Sequence, residues 1–225
     1  MKYDLSNPDI KEIVDALSYV CFDELDGADD GFYEWVVYPF KAHYFKPFKH
    51  DSGASKGVLI FKDLGFVIKI PYIMYDGYEL YGASYQGNDD WDYCSQEVNR
   101  YTMAEEEGLQ EVFLKTEYLT SVNRHPIYIQ PLATILKDLN GEEYSYHKSC
   151  SSQDDKNSAD SINLANNFYD IHEVWDGEVY NKYGKDFYIK LKTFIKNISI
   201  NDLRTANVGY WNGNPVLVDY AGYYE

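Results

Sequence analysis

The amino-acid sequence predicts an α+β fold, and three observations carry that expectation. Apolar, β-branched runs at Val58–Phe61 and Phe66–Ile70 flank the turn Asp63-Leu64-Gly65, which reads as a hairpin. Helical periodicity marks Pro8 to about Cys21, Cys94–Leu109, Asp160–Tyr183 and Asp186–Asn197. A second hairpin stands near the C-terminal end, with Val208–Tyr210 and Val216–Val218 joined through Asn212-Gly213, the dipeptide best suited to a two-residue turn.

Taken in order, Asn7 caps the first helix with Pro8 in its first turn, and Ile10, Ile13, Val14 and Leu17 form its apolar stripe. The acidic segment Asp23–Gly31 lacks the spacing and the final Glu of a calcium loop. Phe32–Phe48, aromatic and broken by Pro39 and Pro47, reads as short edge strands. Gly53, Ser55 and Gly57 make a turn whose backbone N–H groups suit phosphate oxygens, or simply a hairpin. Residues 73–93 have no period and read as an insertion. The helix from Cys94 takes Ser95 as cap and Gly108 as stop. Val112–Leu119 and Ile127–Leu132 read as strands, and Asn140–Ser161 has loop composition.

Composition narrows the classes. The chain has 225 residues, 45% of them apolar, enough for one sizeable domain or two lobes. A net charge of −17 argues against binding nucleic acid by neutralising phosphates. It is compatible with simple solubility, or with an acidic face, rich in the 24 Tyr, that docks on a protein partner. No apolar run suits a membrane span or a signal core, and Cys21, Cys94 and Cys150 lack metal-site spacing. Free thiols in a cytoplasmic protein are therefore expected.

The chemistry-bearing residues cluster at the second hairpin. Asp202 precedes it, Asn207 stands at its entrance and Asp219 at its exit, a pattern suited to a hard cation with a spare carboxylate as base. Asp202 and Asn207 lie five positions apart in I-N-D-L-R-T-A-N, and D-Y-A-G follows one hairpin later. This stretch resembles the catalytic core of the protein-kinase-like superfamily, whose patterns are H-R-D-L-x-x-x-N and D-F-G. Ile200 and Asn201 replace His-Arg, and Ala221 lengthens the second motif. Upstream, V-I-K at Val67–Lys69 matches the family's V-A-I-K in order and spacing after a glycine turn. Strand alternation alone would equally put Lys69 on a solvent face.

The resemblance implies a two-lobed kinase-like fold, with a small antiparallel sheet lobe over 1–132 and a reduced helical lobe over 133–225. It implies ATP and magnesium as cofactors and a hydroxyl acceptor, on a protein or a small molecule. Asp202 becomes the base, Arg204 a neutraliser of the transferred group, Lys69 the phosphate-contacting lysine, and Asn207 and Asp219 the magnesium ligands. Gly53 and Ser55 would lie over the phosphates, adenine would meet backbone groups from Gln130 to Leu132, and ATP would lie between the lobes. Glu97 is the implied partner of Lys69, although helix register leaves Glu105 and Glu106 open. Only Tyr223, Tyr224 and Glu225 follow the second motif, so the residues from Asp160 to Ile198 are expected to bury the large lobe alone or with help from the N-terminal helix or a partner chain, a homodimer being one option. The alternatives are a pseudokinase that binds nucleotide without turnover and an acidic protein-binding or inhibitor module.

Overall fold

The structure, a computed structural model, describes residues 3–22, 25, 29–53, 55–72, 92–136, 173–200, 203 and 206–221. The residues expected to form the 73–93 insertion (save Asp92 and Tyr93), the 140–161 loop, the first part of the 160–183 helix, Cys150, Asp202 and Arg204 lie outside that set. The chain is α+β and divides into two units, Met1–Asn99 with Lys115–Leu132, and Arg100–Leu114 with Ala133–Glu225.

The first unit is built on an antiparallel sheet of five strands in the order β1-β2-β3-β5-β4. These are β1 (Lys49–Ser52), β2 (Lys56–Phe61), β3 (Phe66–Pro71), β4 (Glu117–Val122) and β5 (His125–Pro131). The Lys62–Leu64 turn joins β2 to β3 through Phe61↔Phe66, and every later pair follows from that register. Leu59, Phe61, Phe66, Ile68, Ile70, Ile127 and Ile129 therefore share one face, and all are buried in one core.

That face packs on the N-terminal helices. Helix α1 (Pro8–Leu17) starts where Asn7 Oδ1 accepts the Asp9 N–H at 2.9 Å, and it buries Ile10, Ile13 and Leu17. It stops at Leu17, short of the expected Cys21. Phe32–Phe48, expected as edge strands, is helical instead over its first two thirds: α2 (Asp29–Phe32), a π-helical turn (Tyr33–Val37) and α3 (Tyr38–His43). Val36, Val37 and Phe40 are driven into the core on one side, while Pro39 falls in the first turn of α3, where its missing N–H costs nothing. Tertiary burial thus overrides the β preference of the aromatic residues.

The second unit gathers around a second core. Helix α4 (Tyr93–Glu106) contributes Ala104 to it, while α5 (Glu173–Tyr183) adds Trp175 and Val179, and α6 (Lys185–Asn197) adds Leu191, Phe194 and Ile195. The run Val112–Leu114, expected as the start of a strand, is a short 3₁₀ turn at Gln110–Val112 followed by extended chain. Three consecutive buried apolar residues cannot alternate, and β4 begins only at Glu117. Strand β6 (Thr134–Ile135), not foreseen, pairs with the hairpin β7 (Val208–Trp211) and β8 (Asn214–Leu217). Asn212 and Gly213 have φ of 51° and 76°, the two positive values of a type I′ turn. Between α5 and α6, Asp176 accepts from Lys192 Nζ at 2.8 Å and from the Tyr188 hydroxyl at 2.5 Å. Burial pulls the Lys192 ammonium below its ordinary value, and Asp176 opposes that shift.

Among the described residues no helix is long and apolar enough to cross a membrane. Cys21 and Cys94 are free thiols, as expected. One glycine is fixed by a close approach: a Cβ at Gly57 would lie 2.1 Å from Phe32 Cε2, because that buried ring lies flat against β2. Gly57→Ala should therefore destabilise the protein by about 1–3 kcal/mol, read as a lowered urea midpoint. An unchanged midpoint would mean that the Phe32 ring moves aside freely.

Candidate functional site

The other face of the first sheet carries the polar groups. Val58 pairs with Lys69, Lys69 with Tyr128, and Val67 with Gln130, so Lys56, Lys69, Tyr128 and Gln130 all point to the same side. The sequence left Lys69 open between solvent and interior. The structure places it in the central strand β3, buried on both faces, and only 2% exposed.

Helix α4 brings the carboxylate. Its cap is Asp92 rather than Ser95: Asp92 Oδ1 accepts the Ser95 N–H at 2.8 Å, and Ser95 Oγ donates back to the Asp92 carbonyl at 2.7 Å. The Tyr128 hydroxyl donates to Asp92 Oδ2 at 2.7 Å and so ties the start of the helix to β5. Glu97 then falls in the second turn, with no exposure, while Glu105 and Glu106 are exposed. Of the three candidates it is Glu97 that meets Lys69.

Glu97 is saturated with donors. Lys69 Nζ and Thr116 Oγ1 both reach its Oε2 at 2.5 Å, and Lys56 Nζ reaches its Oε1 at 2.9 Å. Gln130 Nε2 donates to Thr116 Oγ1 at 2.9 Å, so the side chain of Gln130 serves this network. A carboxylate taken wholly out of water loses several kcal/mol of hydration, which only close, multiple, charge-assisted bonds offset. Cys94, beside the cluster, is no nucleophile: burial pushes its thiol well above the ordinary value, with opposing effects from the lysines and carboxylates around it.

The turn before β2 is tighter than a phosphate cradle requires. Gly53 N–H donates to the Lys56 carbonyl at 2.9 Å, and the Ser55 carbonyl accepts the Tyr72 N–H at 2.9 Å. Leu132 N–H likewise donates to the Gly65 carbonyl at 2.9 Å. Three of the expected nucleotide contacts, Gly53, Ser55 and Leu132, thus each give one backbone group to the fold.

In the second unit the hairpin brings two expected metal ligands together. The Asn207 carbonyl accepts the N–H groups of Val218 at 2.8 Å and Asp219 at 3.3 Å, extending the β7–β8 ladder by one step. Asn207 is buried and Asp219 half-buried. Beyond Asp219, the Tyr220 hydroxyl donates to the Leu114 carbonyl at 2.9 Å, and Arg100 Nη1 donates to the Tyr220 carbonyl at 2.5 Å. Ile200 and Leu203, on either side of Asp202, are buried in the same core as Tyr220. Asp202 and Arg204 themselves lie outside the described residues. Among those residues no group of three or more His, Cys, Asp or Glu is placed to hold a metal, and the oxygen donors at the hairpin are the amide and the carboxylate.

Lys56, Asp92, Thr116 and Tyr128 were missed by the sequence reading. Lys56 had a signal, since a hairpin closed at Phe61 and Phe66 sets Val58 opposite Lys69 and Lys56 on the same face. Compared with known proteins, the chain matches no family model, no curated protein and no solved structure.

The Asp92 carboxyl offers a pH test of this arrangement. Burial pushes it above its ordinary 3.8, the Glu97 charge adds to that, and the Ser95 amide, Tyr128 hydroxyl and Cys94 amide pull it down. The folded chain therefore holds this proton more tightly than the unfolded chain. Stability from this group is present below about 3.8 and is lost as pH rises through the raised folded value. Asp92→Asn still caps a helix but does not titrate. Urea unfolding across that range should show wild type losing more stability with rising pH than Asp92→Asn, and parallel slopes would contradict a raised carboxyl.

Proposed function

We propose that the chain is a kinase-like, magnesium-dependent phosphotransferase that moves the γ-phosphoryl group of ATP to a hydroxyl acceptor. In this reading the first unit is the small sheet lobe and the second a reduced helical lobe. The observation that carries it is the fully buried Glu97 on Lys69, a strand lysine held by a helix carboxylate. Such a pair fixes a flexible ammonium at one point, which suits a phosphate oxygen that must be oriented before transfer.

Asn207 and Asp219 fit magnesium, a hard cation that takes one or two protein oxygens and fills its shell with water and phosphates. When bound there, magnesium neutralises the phosphate oxygens as charge develops on them. Asp202 accepts the proton of the acceptor hydroxyl as its oxygen attacks the γ-phosphorus. The bond to the β–γ bridging oxygen breaks, and ADP leaves. Arg204, two residues on in the sequence, supplies a positive charge that neutralises the transferred group.

A nucleotide-binding protein without turnover is the second reading. It is favoured by the Gly53 N–H being engaged within its own hairpin and by Ile200 standing in the core where the motif has its histidine. Both readings are tested with Mg·ATP, following thermal unfolding and γ-phosphoryl transfer to water or to the protein itself. Wild type should be stabilised by Mg·ATP, Lys69→Met should lose that stabilisation, and Asp219→Ala should lower transfer by about 100-fold or more. Stabilisation without transfer selects the second reading. Transfer unaffected by Asp219→Ala sinks the first, and no stabilisation of wild type sinks both.

A further inference from the structure

The helical stretch 29–43 carries large apolar groups on two faces. It runs from α2 through the π-helical turn into α3 without a break, and Phe32, Val37 and Tyr38 at the junctions are all in the right-handed helical region. Phe32, Val36, Val37 and Phe40 are buried in the core of the first unit. Trp35, Tyr38 and Phe45, the last just past the end of α3, lie outside it and are 41%, 69% and 86% exposed. Ala42, one helical turn on from Tyr38, is exposed as well. Trp and Tyr are the residue types that anchor protein interfaces, and here they stand on the outer face of a helix whose inner face is already satisfied.

The outer face also holds one charge of each sign. Glu34 lies four residues before Tyr38 and Lys41 three after it, and both are exposed. The Lys41 ammonium lies 5.3 Å from the Tyr33 ring centre and 5.8 Å from that of Phe48. Among the described residues neither Glu34 nor Lys41 is paired with an opposite charge, whereas Lys46 on the flank is bound by Asp9 and Glu12 of α1. An acid towards one end, a base towards the other and an aromatic ring between them make a helix face that is complementary to itself turned end for end.

We infer that this face docks a second copy of the chain, in an isologous dimer whose two helices run antiparallel and cross at Tyr38. Such a crossing sets residue 38 + n opposite residue 38 − n of the other copy. Lys41 then falls opposite the partner's Trp35 and next to the partner's Glu34, and the two-fold axis repeats both contacts. The small Ala42 leaves room beside them, and Phe45 falls opposite the partner's Gly31, where no side chain stands in the way. The net charge of −17 on each copy opposes approach at long range, but at about 0.15 M salt screening acts within about 8 Å, so the contact is decided by the face itself. Rings of roughly 150–250 Å² each supply a few hundred Å² per protomer, less than the about 800 Å² per partner of a standard interface. The dimer is therefore concentration-dependent rather than obligate, and it is independent of the phosphotransferase reading.

The test is sedimentation velocity of the full chain at about 0.15 M salt, from low micromolar to near-millimolar protein. Wild type should pass from monomer to dimer over that range. Tyr38→Glu, which sets two like charges against each other at the axis, should raise the dissociation constant by about tenfold or more. Glu34→Lys or Lys41→Glu alone should weaken the dimer by about threefold or more, and the two together should restore it, since the exchanged charges again meet across the axis. As a measurement that needs no variant, the wild-type amide resonances that move on dilution should fall within residues 31–45. Wild type that stays monomeric throughout, a dimer indifferent to Tyr38→Glu, or a double exchange no better than its single variants would overturn the inference. Wild type that stays monomeric yet cosediments with vesicles of phosphatidylserine and phosphatidylcholine, and loses this with Tyr38→Glu, would overturn it in favour of a membrane surface.

Discussion

The first unit depends on a single buried carboxylate. Strand β2 delivers Lys56 to Glu97, β3 delivers Lys69, the approach to β4 delivers Thr116, and β5 supplies Gln130 to hold Thr116. Helix α4 carries the carboxylate itself. An ion in this position is far costlier to leave unpaired than it is favourable to pair, so each donor constrains the element it comes from. The opposite face of the same sheet buries an apolar core against α1 and its neighbours, and Asn123 Nδ2 at the β4–β5 turn donates to the Ser18 and Val20 carbonyls just past α1. One sheet thus joins an unspecific, strongly stabilising face to a specific, electrostatically tuned one.

Local chemistry was legible in the sequence, and long-range burial was not. The Asn7 cap and both hairpins follow from short-range patterns whose physics is contained within a few residues, whereas the pairing of Lys69 with Glu97 came from the resemblance, with helix register leaving Glu105 and Glu106 open. Alternation assigns a residue to a face but does not say whether that face is covered, which is why Lys69 stayed ambiguous until β3 proved central. The Phe32–Phe48 segment shows the same gap in reverse. Its aromatic residues favour strands, and only the sheet beneath them makes a helical path the better way to bury Val36, Val37 and Phe40. Asp92 was overlooked because its value as a cap is set partly by Tyr128, thirty-six residues away in sequence.

In the second unit the organising device is a carbonyl rather than a charge. Asn207 receives two successive amides from the far strand, so the hairpin cannot splay at its open end without breaking both bonds. That fixes the backbone on each side of Asp219, while Tyr220 and its bond to Arg100 anchor the next residue in the core. The carboxylate at Asp219 is left half-buried between two fixed points, a pre-organised position for an oxygen donor. Sequence spacing alone conveyed the neighbourhood of Asn207 and Asp219; the shared carbonyl that enforces it was invisible until the strands were paired.

Cys94 gives the first unit a built-in reporter. Its thiol is sealed under the first turn of α4, beside the two lysines and Glu97, and its raised proton affinity keeps it unreactive while it stays there. Cys21, by contrast, is exposed and reacts whatever the helix does. The delay between modification of the two thiols is therefore a clock for how often the helix start lifts from the sheet. Whatever holds the start of α4 to the sheet slows that clock without touching either sulfur.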